Sequence, residues 1–256
     1  VWVDAMHQDQ QEKMWRLLAE KAKDVDAFIA VSSFFAGVMQ KRMAIPNEKL
    51  HVLHVGVRPD FYPYTKPAIN PQIIGYLSRL NDENGFEILI DAFIKLKENP
   101  AFGTLKLKAT GGMTGDDTKF INKQINKLKQ KNILVDFEIQ EDFTSSALQE
   151  FFKSITVLSV PVLKGEAFGL YQIEALASGV PLVQPELGAF PEIITATGGG
   201  VTYQPNTASA LAEKLAEVLT NPAKLEVMSL AGRKSVEEKF DCGVLSQKMV
   251  EIYKTL

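Results

Sequence analysis

Short apolar runs alternate with amphipathic stretches along the chain from residue 72 onward. Runs with the length and β-branched content of buried strands fall near residues 72–77, 104–109, 134–138, 155–160, 181–184 and 200–203. Helical spacing follows each run, near residues 85–98, 116–131, 144–153, 169–178, 190–195 and 207–219, and again near 222–239 and 243–255. Because alternating strands and helices favour a parallel sheet with right-handed crossovers, this pattern predicts an α/β, Rossmann-like fold with helices on both faces.

The segment before residue 60 carries a shorter pattern of the same kind. It predicts helices near residues 9–23 and 33–43, and strands near residues 27–31 and 50–53. Prolines at positions 59, 63, 67 and 71 then favour an extended connector over a helix. A break at residues 241–243 sets the last predicted helix apart from the others.

The composition is that of a globular chain without a strong charge. A net charge of −3 gives no overall attraction to nucleic acid or to an anionic membrane, so any phosphate must be bound by a local site. Cys242 is the only cysteine, which excludes an intrachain disulfide framework and a CxxC metal site and predicts a reducing, cytoplasmic location. Val1 stands where an initiator methionine would, which favours a chain that begins inside a longer protein.

Residues 164–183 form the most informative stretch, a strand-to-helix junction with one acid at its mouth and another inside the helix. Glycines at 165 and 169 flank Glu166, and bare backbone there would let an anion approach the helix N-terminus. Glu174 has apolar neighbours at positions 173 and 175–177, and a buried carboxylate needs a partner. The alternative is a Glu in the first turns of a helix that faces water and is favoured by the helix dipole.

Four segments with polar residues or glycines follow the first four strands of the predicted sheet. They lie at residues 75–79, 110–113, 140–143 and 165–170. Ligands of open α/β sheets bind beyond the carboxyl ends of the strands, so the four segments are expected to share one site.

This set of segments resembles the signature of retaining nucleotide-sugar glycosyltransferases of the GT-B type, family 4. In that signature a Glu before Phe-Gly-Leu is followed eight positions later by a second Glu, as Glu166 and Glu174 are here. The segments FIAVSS (28–33), GYLSRL (75–80) and GAFPEII (188–194) also match, in the family's order and near its spacing. The resemblance runs from about residue 25 to about residue 219 and implies a GT-B donor-binding domain.

The resemblance implies roles for individual residues. Arg79 would hold the donor diphosphate and Glu166 the sugar hydroxyls, both as catalytic residues, while Glu174 would bind the ribose hydroxyls. The other donor-binding residues would be Gly75, Asn84, Gly111, Gly112, Phe168, Gly169 and Leu170, with residues 110–113 and 140–143 flanking the base. Simpler readings stay open: Arg79 as an ordinary surface residue, Gly111-Gly112 as a chain turn, and Glu192 as an acid placed by its own helix dipole.

Two positions depart from the family pattern. Asn84 stands before Gly85 where the family has a lysine, and that lysine would face the diphosphate. Ala167 stands where the family usually has glycine, a change that matters only if the position needs a positive φ.

The resemblance also implies a domain division. Residues 1–60 would be the tail of an N-terminal acceptor-side domain, 61–71 a linker, 72–240 the donor-binding domain, and 241–256 a helix that crosses back to the first domain. The expected partners are a nucleotide-sugar donor, an unknown acceptor and the preceding N-terminal domain, with no nucleic acid. Peripheral membrane association of the full-length protein stays open.

The implied function is transfer of a sugar from a nucleotide diphosphate sugar to an acceptor hydroxyl with retention of configuration. No cofactor or metal is expected, since the nucleotide sugar is a substrate. If Asn84 has removed catalytic competence, the chain is instead a nucleotide-sugar binding module or a structural partner. A GT-B-type sugar-nucleotide epimerase is the third alternative.

Overall fold

The computed structural model describes residue 3, residues 6–142 and residues 144–256. Its first part contains helix α1 (Gln8–Lys21), strand β1 (Phe28–Ala30), helix α2 (Ser33–Met43) and strand β2 (Leu50–Val52). The two strands pair in parallel, with Ala30 opposite Val52. A small core that includes Trp15, Met43 and Ile45 holds these elements together.

The remainder of the described chain builds one six-stranded sheet. Its strands are β3 (Ile73–Leu77), β4 (Lys106–Thr110), β5 (Phe137–Ile139), β6 (Val157–Leu158), β7 (Leu182–Pro185) and β8 (Gly200–Tyr203). The helices are α3 (Phe86–Lys97), α4 (Thr118–Gln130), α5 (Ser145–Ser154), α6 (Leu170–Ala177), α7 (Phe190–Thr197), α8 (Ala208–Leu219), α9 (Pro222–Lys239) and α10 (Cys242–Lys254).

All neighbouring strands of this sheet are parallel, in the order β5-β4-β3-β6-β7-β8. The order runs outward from β3 on one side and from β6 on the other, which is the doubly wound arrangement of Rossmann-like folds. Successive strands are therefore added toward one edge of the sheet from β3 and toward the other edge from β6, so the strand order reverses between these two strands. The crevice at their carboxyl ends is where this fold binds ligands.

The two faces of the sheet carry separate apolar cores. Along β3, Ile74 and Tyr76 join the core shared with α3, α4 and α8, whereas Ile73 and Leu77 pack on the core shared with α5, α6 and α7. This alternation follows from the two-residue period of a strand. It confirms the predicted α/β fold with helices on both faces.

The connector between the two parts lies against the larger sheet domain. Val57 pairs with Asp241 in an isolated parallel bridge, just before α10 begins. Farther along, the Thr65 amide donates to the Ser178 carbonyl at 3.0 Å. These bonds fix the connector and the start of α10, while the predicted domain limits stay predictions.

Strands β1, β5 and β6 are clearly shorter than their apolar runs predict, and the causes for β5 and β6 are visible. Residues 134–136 form a 3-10 turn, so β5 begins only at Phe137. Strand β6 ends at Leu158, because the Val160 amide donates to Oε1 of Gln184 and Pro161 has no N–H to continue the ladder.

Candidate functional site

Glu166 lies in the loop between β6 and α6, at the point where the strand order of the sheet reverses. The loop packs back to back with residues 187–189: the Ala189 amide donates to the Glu166 carbonyl at 2.9 Å, and a Cβ at Gly188 would lie 2.4 Å from the Glu166 nitrogen. Burial raises the pKa of the Glu166 carboxyl above its usual value, and a bond from the Ala167 amide offsets this in part. The carboxylate is therefore partly desolvated, and its loop is closely packed against residues 187–189.

Three polar side chains converge around Gly169, which has a φ of +76° and precedes α6. A Cβ at this glycine would lie 3.1 Å from Cγ of Glu166, 3.1 Å from Cζ of Tyr171 and 3.0 Å from Nε2 of Gln172. A larger residue would have to displace these side chains by a few tenths of an ångström and would also be strained at this φ. Phe168, one residue earlier, is buried beside the rings of His54 and Phe240.

Several polar atoms near this loop are buried without a hydrogen-bond partner among the described residues. They are the hydroxyls of Tyr171 and Ser159, Oε1 of Gln172 and Nε2 of Gln184. Burial, and then the nearby Glu166 and Tyr76, raise the pKa of the Tyr171 phenol, so it stays a neutral donor. Unpaired buried donors and acceptors cost stability, and a ligand or water at the site would satisfy them.

Glu174 finds its partner in the connector. The Tyr62 hydroxyl donates to Oε1 of Glu174 at 2.7 Å, across 112 residues of sequence. Burial raises the pKa of the Glu174 carboxyl, although the Tyr62 bond acts in the opposite direction. Sequence reasoning expected a partner but missed Tyr62, because no local signal connects the two positions.

Arg79, directly beyond β3, is held by a bidentate ion pair. Its Nε and one terminal nitrogen donate to the two carboxylate oxygens of Asp117 at 2.9 and 3.0 Å, and the same terminal nitrogen donates to Thr114. The Arg79 guanidinium, with amide and hydroxyl bonds from Thr114, lowers the pKa of Asp117 to about 2. One edge of the guanidinium is thus occupied. The other terminal nitrogen has no partner among the described residues and remains for a ligand.

Asn84 lies in the same loop as Arg79. Its Nδ2 donates to the Arg79 carbonyl at 3.2 Å. The next residue, Gly85, has a φ of +73°, and a Cβ there would lie 1.8 Å from the Pro161 carbonyl oxygen. The loops beyond β3 and β6 are therefore in direct contact, as a shared site requires.

The glycines assigned to the site have packing roles of their own. Gly75 lies inside β3 and not beyond it, and a Cβ there would overlap Ile155 at 2.3 Å. Gly111 and Gly112 both have positive φ, and a Cβ at Gly111 would lie 2.5 Å from the Ser78 carbonyl oxygen. The Gly pair thus turns the chain against the Arg79 loop, whatever it does toward a ligand.

A cavity of about 340 Å³ lies beyond β4 and β5. Its walls are Leu80, Gly112, Met113, Ile139, Gln140 and Glu141. These residues come from the two loops expected to flank a base. Phe143, at the end of the second loop, lies outside the described residues.

Helix α2 docks on the site from the first part of the chain. Ser32 caps α2, and its hydroxyl also donates to the Ala167 carbonyl at 2.6 Å. Glu192, in the first turn of α7, accepts bonds from the amides of Ser33 and Phe34 and contacts Nε2 of His54 at 2.9 Å. The sequence interpretation of Glu192 was therefore incomplete, because its carboxylate caps a helix other than its own.

Ala167 is not among the residues with positive φ, so its departure from glycine causes no backbone strain. Within the described residues, no group of three or more His, Cys, Asp or Glu side chains is placed to hold a metal ion. Among the described helices, none combines the length and apolar composition needed to cross a bilayer.

The structure brings together the loops that carry Arg79, Asn84, Glu166 and residues 168–170, and it places Glu174 one turn into the following helix. Sequence reasoning missed Asp117, Tyr171 and the docking of Ser32. Their signal is weak in sequence, because each is an ordinary residue type whose role depends on a distant partner.

A six-stranded parallel sheet with helices on both faces and a crevice where the strand order reverses is an α/β domain of the GT-B type. Residues 65–235 match the family model described as glycosyl transferases group 1. The chain belongs to the glycosyl transferases group 1 family.

Among curated relatives, the chain is 24% identical over 248 residues to alpha-maltose-1-phosphate synthase of Mycolicibacterium smegmatis, covering 90% of this chain and 63% of that protein. It is 27% identical over 196 residues to a phosphatidyl-myo-inositol mannosyltransferase of Mycobacterium leprae, covering 73% of this chain and 50% of that protein. The chain thus spans between half and two thirds of the length of these relatives.

Among solved structures, HepE of Anabaena in complex with UDP aligns with a TM-score of 0.85 at 17% identity, over 96% of this chain and 68% of that one. Sucrose-phosphate synthase of Thermosynechococcus elongatus aligns with a TM-score of 0.82 at 19% identity, over 98% of this chain and 62% of that one. These likenesses confirm the predicted α/β fold of the GT-B type.

Proposed function

We propose that this chain supplies the donor-binding half of a retaining, family 4 glycosyltransferase that uses a nucleotide diphosphate sugar. The observation that carries the proposal is the convergence of Glu166, Tyr171 and Gln172 around Gly169, at the carboxyl end of β6. This position combines a partly desolvated acid, unpaired buried polar atoms and a helix N-terminus. Such a combination suits a sugar next to a phosphate.

In the proposed reaction the bond between the anomeric carbon and the diphosphate oxygen breaks, and the diphosphate leaves with the electron pair. The acceptor hydroxyl oxygen forms the new bond on the same face of the sugar, and its proton passes to the departing diphosphate. Because charge develops on the diphosphate, fixed donors there contribute most to the rate. The free edge of Arg79 and the first amides of α6 are the groups placed to supply them.

The remaining donor contacts follow from the same placement. Glu166 would hold the sugar hydroxyls, and Glu174 would exchange its Tyr62 bond for the ribose hydroxyls. The cavity beyond β4 and β5 is large enough for a base and borders Gly112 and Gln140. The acceptor would be bound mainly by a domain that precedes this chain in the full-length protein.

The relatives support this proposal through what their names state. One is named a synthase of alpha-maltose-1-phosphate, another a mannosyltransferase, and one of the solved structures holds UDP. We therefore expect a hexosyl donor, carbohydrate biosynthesis as the setting, and UDP among the first nucleotides to test.

A nucleotide-sugar binding module without catalysis is the second candidate. The ion pair between Arg79 and Asp117 reduces the positive charge available to a diphosphate, and Asn84 adds none. Both features reduce the stabilisation of a departing diphosphate, and neither changes the residues proposed to hold the sugar.

A binding panel followed by product analysis tests both candidates. We expect nucleoside diphosphates and their sugars to raise the melting temperature of the 256-residue chain, and Arg79→Ala to reduce that shift. Arg16→Ala, an exposed arginine on α1, is the matched control and should leave the shift unchanged. No shift with any nucleotide would contradict the proposal.

Product analysis then separates transfer from binding alone. We expect this chain to bind donor without transferring sugar, and the full-length protein to release free nucleotide and a glycosylated acceptor. A full-length protein that binds donor but forms neither product would favour the binding module.

A further inference from the structure

A second cavity, of about 620 Å³, opens between α2 and the loop that carries Glu166. Its walls are Val38, Lys41 and Arg42 of α2, together with Lys164. Three cations thus surround one cavity in a chain whose net charge is −3. The cavity is larger than a phosphate ion requires and falls within the size range of small-molecule sites.

None of these cations forms an ion pair with a carboxylate of the described residues. Lys41 and Arg42 lie in the last turn of α2, where the helix dipole favours cations and gives them an ordinary reason to be present. Lys164 has no such reason. It belongs to a different loop, yet it lines the same cavity and has no ion-pair partner among the described residues.

The cavity is held in a defined shape by contacts on either side. The Ser32 hydroxyl and the amides of Ser33 and Phe34 fasten the start of α2 to Ala167 and Glu192 of the larger domain. At the other end of α2, the Arg42 guanidinium lies over the Trp15 ring, 5.6 Å from its centroid. Helix α2 is therefore attached at both ends, which fixes the backbone positions from which Lys41 and Arg42 project.

The position of Lys164 decides what the cavity would bind. Lys164 precedes Gly165 and Glu166, so the cavity adjoins the sugar end of the proposed donor site and not its base end. A group bound there would stand beside the sugar to be transferred.

We infer that this cavity binds the phosphate of a phosphorylated acceptor and that Lys41, Arg42 and Lys164 recognise it. The inference rests on the proposed function, because it names the acceptor class for the same site. The apolar stems of the three side chains and Val38 would contact the body of the acceptor, while their charged ends would surround the phosphate. The phosphate could belong to a soluble sugar phosphate or to a phospholipid headgroup.

The test measures phosphate binding while the donor site is filled. The 256-residue chain is saturated with UDP and titrated by calorimetry with glucose 1-phosphate, inorganic phosphate and glucose at low ionic strength. We expect glucose 1-phosphate to bind, inorganic phosphate to bind more weakly, and glucose to show no heat. Salt should weaken both phosphate ligands.

Variants assign the binding to this cavity. Lys164→Gln should weaken glucose 1-phosphate roughly fivefold, and Lys41→Gln with Arg42→Gln more strongly, while the double variant keeps its UDP affinity. The control is Lys129→Gln with Lys248→Gln, which removes two exposed lysines outside the cavity and should change neither affinity. If the double variant unfolds, the weakening of glucose 1-phosphate binding in Lys164→Gln serves as the test by itself.

A vesicle arm distinguishes the two sources of phosphate. Sedimentation with phosphatidylcholine vesicles, with and without phosphatidylinositol, should show cavity-dependent binding if a lipid headgroup is the acceptor. Two outcomes would overturn the inference. In the first, the chain binds UDP, and the cavity variants leave its binding of phosphate ligands or vesicles unchanged. In the second, the chain binds UDP but binds neither phosphate ligands nor vesicles. Absence of UDP binding would instead contradict the proposed donor site, since phosphate and vesicle binding are also measured without UDP.

Discussion

At the scale of single residues, Glu174 combines a cost in stability with a role in binding. Burial raises its pKa, which means that the folded state disfavours the charged form. The destabilisation is fully present above the folded-state pKa and disappears as the pH falls below the ordinary value of about 4.3 for a Glu. A carboxylate kept in such a place at neutral pH is typical of a residue retained for a ligand.

Glu174→Gln should separate these two effects. We expect the variant to lose roughly 1.5–3 kcal/mol of nucleoside diphosphate affinity, because a charged acceptor for the ribose hydroxyls is gone. Its melting temperature at neutral pH should equal or exceed that of the wild type, and the difference should shrink in acid. Calorimetric titration and thermal unfolding at two pH values measure both quantities.

The control for this change is Glu213→Gln, an exposed acid on α8 without an ion pair among the described residues. It should alter neither quantity. Unchanged nucleotide affinity in Glu174→Gln would remove Glu174 from the donor site.

Tyr171 and Tyr203 form a second matched pair. The buried Tyr171 hydroxyl has no partner among the described residues, whereas the Tyr203 hydroxyl donates to Asn206 at 2.8 Å. We expect Tyr171→Phe to keep or raise the free energy of unfolding, and Tyr203→Phe to lower it by about 1 kcal/mol. Denaturant unfolding measures both values.

Ligand binding should reverse that order. If the Tyr171 hydroxyl serves the donor sugar, Tyr171→Phe weakens a nucleotide sugar more than the corresponding nucleoside diphosphate, and Tyr203→Phe weakens neither. A stability loss in Tyr171→Phe equal to that in Tyr203→Phe would mean that a permanent partner, such as a water, already satisfies the hydroxyl.

Asn84 offers a direct test of the diphosphate site. A lysine at this position would lie in the same loop as Arg79. At about 4 Å from a phosphate oxygen, its Coulomb energy is about 4 kcal/mol at an effective dielectric near 20. Desolvation of the ammonium consumes part of this. We therefore expect Asn84→Lys to tighten nucleoside diphosphate binding by about 1–2 kcal/mol, with a smaller gain at high salt.

The corresponding nucleoside is the control ligand, because it lacks phosphate and should gain nothing. Arg79→Ala should weaken the same diphosphate, and the two changes should be non-additive if both side chains reach it. An unchanged diphosphate affinity in both variants would show that the donor site lies elsewhere.

At the scale of elements, the period of the apolar residues was enough to predict every helix and strand in order. The exceptions are strand limits, whose causes the pattern does not contain. The side chain of Gln184 takes the amide that would have extended β6, and residues 134–136 turn before β5 begins. The first is a tertiary contact, which overrides local propensity, and the second is a local turn.

The candidate site was predictable to the same extent. Loops beyond the strands follow from fold class alone, so the positions of Arg79 and Glu166 could be placed from the sequence. The partners of Arg79 and Glu174 could not be predicted. Asp117 and Tyr62 reach them through the path of the folded chain and not through a fixed sequence spacing. The pKa shifts of Asp117 and Glu174 depend on these contacts and on burial, so they could not be predicted from the sequence either.

Gly188 joins the loop after β7 to the loop after β6, and Gly198 supplies a control. Both have positive φ, but a Cβ at Gly188 would lie 2.4 Å from the Glu166 nitrogen, whereas at Gly198 the nearest atom is 3.5 Å away. We expect Gly198→Ala to cost about 1 kcal/mol of unfolding free energy, for backbone strain alone. Gly188→Ala should cost more than that and also weaken nucleotide-sugar binding, because the Glu166 loop must move.

Denaturant unfolding and donor titration of the two variants provide the comparison. Equal losses of stability would mean that the two loops can separate at no cost. In that case the packing of the Glu166 loop against Gly188 would not be what positions Glu166.

At the scale of the whole molecule, one carboxylate links the two parts of the chain. Glu192 of the larger domain accepts bonds from the amides of Ser33 and Phe34 and contacts His54, all from the first part. Burial raises the pKa of Glu192, but the bonds from Ser33, His54 and Phe34 outweigh it, so the pKa is lower than usual. The stabilisation is therefore fully present above the ordinary Glu pKa of about 4.3 and is lost as the pH falls through the lower folded-state value.

This arrangement predicts a pH-dependent loosening between the two parts. In hydrogen exchange near neutral pH, Glu192→Gln should speed exchange of the Ser33 and Phe34 amides while leaving amides of β3 and β4 unchanged, because a neutral amide oxygen is a weaker acceptor than a carboxylate. Acidification of the wild type should produce the same pattern, and acidification of Glu192→Gln should add little. Glu186→Gln, an exposed acid on the preceding loop, serves as the control. Uniformly faster exchange across both parts would indicate global destabilisation, and no change at Ser33 would show that the Ser32 bond to Ala167 holds α2 in place by itself.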